Sequence, residues 1–133
     1  MIEIKLCGLK EPSHIKLAFD LGIKYIGLVF FEKSSRFLSY KAAKSLISVT
    51  PPEITKVGLV VNPNDYVLDM ISSLGLDMLQ LHGSESISRV KEIKSNFDVS
   101  VIKAIGVKSK NDLKLIKNYA EVADQILIDA KPK

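Results

Sequence analysis

Short apolar runs alternate with amphipathic stretches along the whole chain. The runs cover residues 2–7, 25–31, 55–61, 78–81, 99–105 and 125–129. Most are continuously apolar rather than alternating, the pattern of parallel strands covered on both faces. Between them, apolar positions recur at the spacing of a helix with one buried face. The first helical stretch has Pro12 in its first turn, turns Ile15, Ala18 and Phe19 inward, and stops at Gly22. The second starts at Ser39, a good N-cap, buries Ala42, Ala43, Leu46 and Ile47, and ends at Pro51-Pro52. Val67, Met70, Ile71 and Leu74 form a third stripe stopped by Gly75, and Ile87, Val90, Ile93 and Phe97 form a fourth. The fifth begins at Ser109, with Asp112 at the acidic position of a capping box, and carries Leu113, Ile116 and Ala120 inward. The predicted order is βαβαβαβαβαβ, an α/β chain. No Gly/Ser linker, charge block or low-complexity segment divides it, so residues 1–133 are read as one domain.

A weak internal repeat supports this regularity. Leu21-Gly22-Ile23-Lys24-Tyr25-Ile26 and Leu74-Gly75-Leu76-Asp77-Met78-Leu79 both read as helix end, glycine, strand. Strict alternation leaves an open doubly wound sheet or a (β/α) barrel, because parallel strands need right-handed crossovers. Both place function at the C-terminal ends of the strands.

Composition narrows the class. With 47% apolar and 26% charged residues the chain is globular, and no apolar run approaches the roughly 18 residues of a membrane span. The net charge of +4 comes almost entirely from lysines interleaved with acids, which argues against a nucleic-acid patch and is compatible with an anionic small molecule. One cysteine excludes a disulfide framework and a Cys-rich metal site, and points to a reducing, cytoplasmic setting. Two histidines without clustered carboxylates argue against a metal site.

The strand ends supply the candidate chemistry. Cys7 closes the first run beside Gly8; a lone cysteine there is more often a small buried hydrophobe, but on a rim near helix N-termini and lysines it can serve as base or nucleophile. Asp129 ends the last run, either as a loop carboxylate or as a proton donor or acceptor facing a rim pocket. Arg36 is one of two arginines, and its fork can hold a carboxylate bidentately or make an ordinary surface ion pair. Gln80 and His82, in Gln80-Leu81-His82-Gly83, sit where a strand ends and a helix is entered. Lys131 is either an anion holder or a solvated charge.

Read together, Lys5-Leu6-Cys7-Gly8-Leu9, Gly27-Leu28-Val29-Phe30, Lys33-Ser34-Ser35-Arg36, Lys56-Val57-Gly58-Leu59-Val60-Val61-Asn62, Gln80-Leu81-His82-Gly83 and Leu127-Ile128-Asp129-Ala130-Lys131 resemble the phosphoribosylanthranilate isomerase family. The resemblance implies a (β/α)8 TIM barrel of tryptophan biosynthesis that works without metal or organic cofactor. It implies an Amadori rearrangement of N-(5-phosphoribosyl)anthranilate into the 1-deoxyribulose 5-phosphate derivative. On this matching Asp129 is the general acid that opens the ribose ring and Cys7 is the general base at the sugar C2. Arg36 holds the anthranilate carboxylate, and Gln80 and His82 line the site. Leu6 and Leu9 replace the commoner isoleucines of the first motif and Lys10 replaces threonine, without touching the thiol.

A complete barrel needs about 200 residues or more. The resemblance therefore implies a barrel truncated after the sixth strand, without the later Gly-rich turns that hold the substrate phosphate. Uncovered strand edges and interior predict self-association or a complementing C-terminal fragment. The expected partner is otherwise a small phosphosugar, with neither nucleic acid nor membrane. A non-catalytic α/β binding or scaffold module built on the same framework is the alternative.

Overall fold

The computed structural model describes residues 1–131. Its elements are β1 (Lys5–Cys7), α1 (Pro12–Asp20), β2 (Tyr25–Val29), α2 (Tyr40–Ser48), β3 (Thr55–Val60), α3 (Asp65–Ser72), β4 (Met78–Leu81), α4 (Ile87–Phe97), β5 (Ser100–Val107), α5 (Lys114–Ala120) and β6 (Gln125–Ala130). All five strand pairings are parallel, in the order β1-β2-β3-β4-β5-β6. This order decides between the two architectures. A doubly wound sheet reverses its strand order at a switch point, whereas a sheet that always advances in one direction, with right-handed crossovers, puts every helix on one face.

The other face closes on itself. In a flat sheet β1 and β4 would lie three spacings, about 14 Å, apart, yet Lys5 on β1 hydrogen-bonds Gln80 on β4. Tyr25 of β2 and Leu127 of β6 pack on the same inner cluster of Val57, Met78 and Ile102. The sheet is therefore curled, with residues of alternate parity inside. The outer parity, Ile26, Leu28, Leu79, Leu81 and Val101, joins Ile15, Ala18, Leu46, Ile71, Val90 and Ile93 from the helices in the main core.

Helix ends follow their capping chemistry. Ser39, Asn64 and Ser86 accept from the amides of Ala42, Val67 and Arg89, and Pro12 opens α1. Gly22 and Gly75 adopt φ of 69° and 78°, the left-handed terminators that the repeated helix-glycine-strand motif predicts. Two expectations fail. Phe19 is 45% exposed; neighbouring helical residues point about 100° apart, so the stripe of Ile15 and Ala18 leaves Phe19 on its flank. The last helix starts at Lys114 rather than Ser109 and buries no residue; Leu113 is 44% exposed and Ala120 is also exposed. The cause is Asp112, whose Oδ2 accepts from the amides of Lys108 and Ser109 at 3.0 and 2.8 Å and from Ser109 Oγ at 3.1 Å, closing a turn in place of the first helical turn. Those backbone hydrogen bonds hold the Asp112 carboxyl down at about 2.

Candidate active site

The C-terminal ends of the strands form one rim, and the sequence candidates gather there in two groups. At the end of β1, Cys7 is half-buried over Gly27, its partner on β2. A Cβ built on Gly27 would stand 2.7 Å from Cys7 Sγ and 3.0 Å from its Cα, so only glycine leaves room for the thiol. Arg36 returns to the same place because the loop after β2 is tied back: Leu38 N–H donates to Val29 O at 2.8 Å, and Phe37 bridges Val29. The Arg36 guanidinium donates through Nη1 to Cys7 O at 3.2 Å and lies over Gly8. Gly8 itself has a φ of 83°, which β-carbon-bearing residues rarely adopt.

The second group is a hydrogen-bonded chain across the interior. Gln80, 2% exposed, bonds through Nε2 to His82 Nδ1 at 2.8 Å. His82 Nε2 lies 3.2 Å from Asp129 Oδ2, and Asp129 Oδ1 accepts from Ala130 N–H at 2.8 Å. Strand alternation explains the convergence: Gln80 and His82 share one parity on β4, and Asp129 shares the inner parity of Leu127 on β6. The rim is partly wet, with the His82 and Asp129 side chains 33% and 50% exposed. Lys131 pairs with Asp112 at 3.5 Å.

Two charged residues that sequence reading passed over complete the arrangement. Lys5, two residues before Cys7 on the same parity, donates to Gln80 Oε1 and so links the two groups. Burial lowers its ammonium from the usual lysine range, the neighbouring Cys7 raises it, and Arg36 lowers it. Lys103 faces outward on β5 yet is only 2% exposed, and its Nζ meets Glu85 Oε2 at 2.9 Å. The Glu85 carboxylate also accepts from Asn62 N–H at 2.9 Å and Gly83 N–H at 3.1 Å, which anchors the turn that follows His82. Tyr119 closes the pair from α5, with its hydroxyl donating to Glu85 O at 2.7 Å and its ring 5.5 Å from Lys103 Nζ. Among the described residues, no cluster of three or more His, Cys, Asp or Glu side chains has the geometry of a metal site, and no helix is long and apolar enough to cross a membrane.

The seat of the thiol yields a direct test. Gly27→Ala forces a methyl group against Cys7 Sγ and backbone, so we expect a loss of about 1–3 kcal/mol in stability and a changed rate of Cys7 modification by a disulfide reagent. Denaturant unfolding and thiol titration check it; an unchanged midpoint with unchanged thiol reactivity contradicts the packing described.

Comparison with known proteins agrees with this geometry. The model of the N-(5'phosphoribosyl)anthranilate (PRA) isomerase family matches residues 4–132. An N-(5'-phosphoribosyl)anthranilate isomerase of Ruegeria sp. (strain TM1040) is 47% identical over 131 residues, which cover 98% of this chain and 61% of that protein. The chain thus spans about three-fifths of the length of such curated relatives. The crystal structure of phosphoribosyl anthranilate isomerase from Thermotoga maritima superimposes with a TM-score of 0.92 at 33% identity, covering 100% of this chain and 63% of that one. A phosphoribosyl anthranilate isomerase in complex with reduced 1-(o-carboxyphenylamino)-1-deoxyribulose 5-phosphate matches with a TM-score of 0.90 at 32% identity, covering 98% and 66%. With a curled six-stranded parallel sheet, a shared rim and a family match along nearly its whole length, the chain belongs to the N-(5'-phosphoribosyl)anthranilate isomerase family.

Proposed function

We propose that this chain carries the acid–base machinery for the Amadori rearrangement of N-(5-phosphoribosyl)anthranilate, and that its six strands and five helices are the first six strands and five helices of a (β/α)8 barrel. The observation that carries the reading is the meeting on one rim of Cys7 with Arg36, and of Asp129 with His82 and Gln80, with Lys5 joining the two groups. The coverage of 63% of the Thermotoga maritima chain supports the barrel.

In this mechanism Asp129 gives a proton to the furanose ring oxygen as the C1–O bond breaks, and the anthranilate nitrogen supplies its lone pair to form an iminium. The iminium acidifies the C2 proton. The Cys7 thiolate removes that proton, the C2–H electron pair becomes the C1–C2 double bond of an enolamine, and tautomerisation places a proton on C1 and leaves the ketone at C2. Arg36 holds the anthranilate carboxylate with its planar fork. The substrate phosphate is held by groups outside these six strands and five helices, in the manner of a glycine-rich turn at a helix N-terminus.

The test is turnover, followed as loss of substrate fluorescence, by the chain itself and by a chimaera in which residues 1–131 replace the corresponding part of the Thermotoga maritima enzyme. Isomerisation by the chimaera, abolished by Cys7→Ala, is the expected result. A folded chimaera that binds a product analogue without turnover would instead favour the non-catalytic module.

A further inference from the structure

Lys5 does more than fill the interior beneath Cys7. Its ammonium group has three N–H donors and no acceptor, so it admits only the oxygen end of the Gln80 side chain, the partner it has here. The Gln80 NH2 must then face the other way, where His82 Nδ1 lies at 2.8 Å. An amide NH2 only donates, so Nδ1 has to present its lone pair, and the ring proton of a neutral imidazole is left to Nε2, 3.2 Å from Asp129 Oδ2. The donors therefore run one way, from Lys5 through Gln80 and His82 to Asp129, whichever end of the amide is assigned first.

We propose that Lys5 is a positioning residue for the acid of the isomerisation, fixing His82 through Gln80 as the Nε2–H tautomer that donates to Asp129. The proposal rests on the reading of Asp129 as proton donor. Its consequence is chemical: with Nε2 already filled and Nδ1 facing a donor, His82 takes no proton from Asp129, and a proton carried by the carboxyl stays available to the furanose oxygen. Ala130 N–H on Oδ1 and His82 on Oδ2 hold the carboxyl plane, and each oxygen keeps a second lone pair for that proton.

The chain has two histidines, and His14 is exposed on α1, so its ring reports a free tautomer mixture in the same spectrum. Ring nitrogen shifts are read by long-range proton–nitrogen correlation on the labelled chain, assigned with His14→Gln. The parent should show His82 with Nε2 protonated and Nδ1 bare, beside averaged values for His14. Because an Asp129 carboxylate also favours an Nε2–H donor, the deciding measurement uses Asp129→Asn, whose amide accepts either tautomer. Asp129→Asn alone keeps the single tautomer, adding Lys5→Met moves His82 to the averaged values of His14, and adding Lys5→Arg, which again only donates, keeps the parent pattern. An Nδ1–H parent, averaging in Asp129→Asn alone, or an unchanged pattern in the folded Lys5→Met double variant overturns the proposal. If that double variant does not fold, Gln80→Leu with Asp129→Asn must average instead, and an unchanged pattern there overturns it. None of these measurements needs turnover, so failure of the isomerase assay and failure of this assignment are separate results.

Discussion

Asp129→Asn lowers the turnover of the chimaera by about 10²- to 10⁴-fold, the usual contribution of a general acid, or about 3–5 kcal/mol of transition-state stabilisation. The substitution is chosen because it keeps shape. An asparagine still accepts from Ala130 N–H and still meets His82, the two partners that orient Asp129, so only the transferable proton is lost. The effect should fall on kcat, with KM within a few-fold, since the proposed carboxylate clamp, Arg36, is on the opposite group and its contact with Cys7 O is untouched. Steady-state fluorescence kinetics on the two proteins measure both constants. Retention of more than a tenth of the parent kcat would remove Asp129 from the acid role.

The candidate residues of the proposed reaction could be picked out because parallel α/β architecture concentrates function at strand C-termini. Cys7, Gln80 and Asp129 lie at or near the end of an apolar run, Arg36 and His82 follow one, and the sheet delivers them to one rim. Lys5 and Lys103 were not legible, because their meaning lies in partners far away in sequence. Lys5 reads as an ordinary charge at a strand start until the sheet curls and brings β4 across to it. Lys103 sits inside the apolar run 99–105, and its partner Glu85 stands between two serines that suggest a solvated loop. Helix boundaries failed for a local reason. Only half of the capping box Ser109 to Asp112 forms: the Ser109 amide donates to the Asp112 carboxylate, but Ser109 Oγ donates to it as well instead of accepting from the Asp112 amide, and the same carboxylate takes the Lys108 amide, closing a turn that delays α5 to Lys114. The alternation of elements alone leaves the barrel and the doubly wound sheet open; the motif resemblance points to the barrel, and the strand order agrees with it.

The outward-facing Lys103 is where fold and site are joined. Its Nζ donates to Glu85 Oε2 at 2.9 Å, Gly83 O at 2.7 Å and Ala104 O at 3.0 Å, with side-chain exposure of 3% for Lys103 and 1% for Glu85. Lys103→Met keeps the length of the stem but leaves the carboxylate buried among backbone donors alone, so we expect a loss of about 3–5 kcal/mol. Domains of this kind are stable by only about 5–15 kcal/mol, so the single variant should lose a large share of its stability and unfold at a clearly lower denaturant midpoint than the parent. Removing both charges is a different matter. In Lys103→Met with Glu85→Gln, the amide oxygen still accepts from Asn62 or Gly83 and no uncompensated charge remains, so a large part of the loss returns. Denaturant unfolding of the four proteins closes the double-mutant cycle, and a double variant no more stable than the worse single would show that the two residues are not coupled. The same pair anchors Gly83 directly after His82, so in the recovered double variant the residual damage should fall on the rim. The sign to look for is a His82 ring signal that broadens or moves while the unfolding midpoint is largely restored, because a neutral pair supports the core without gripping the turn that points His82 at Asp129.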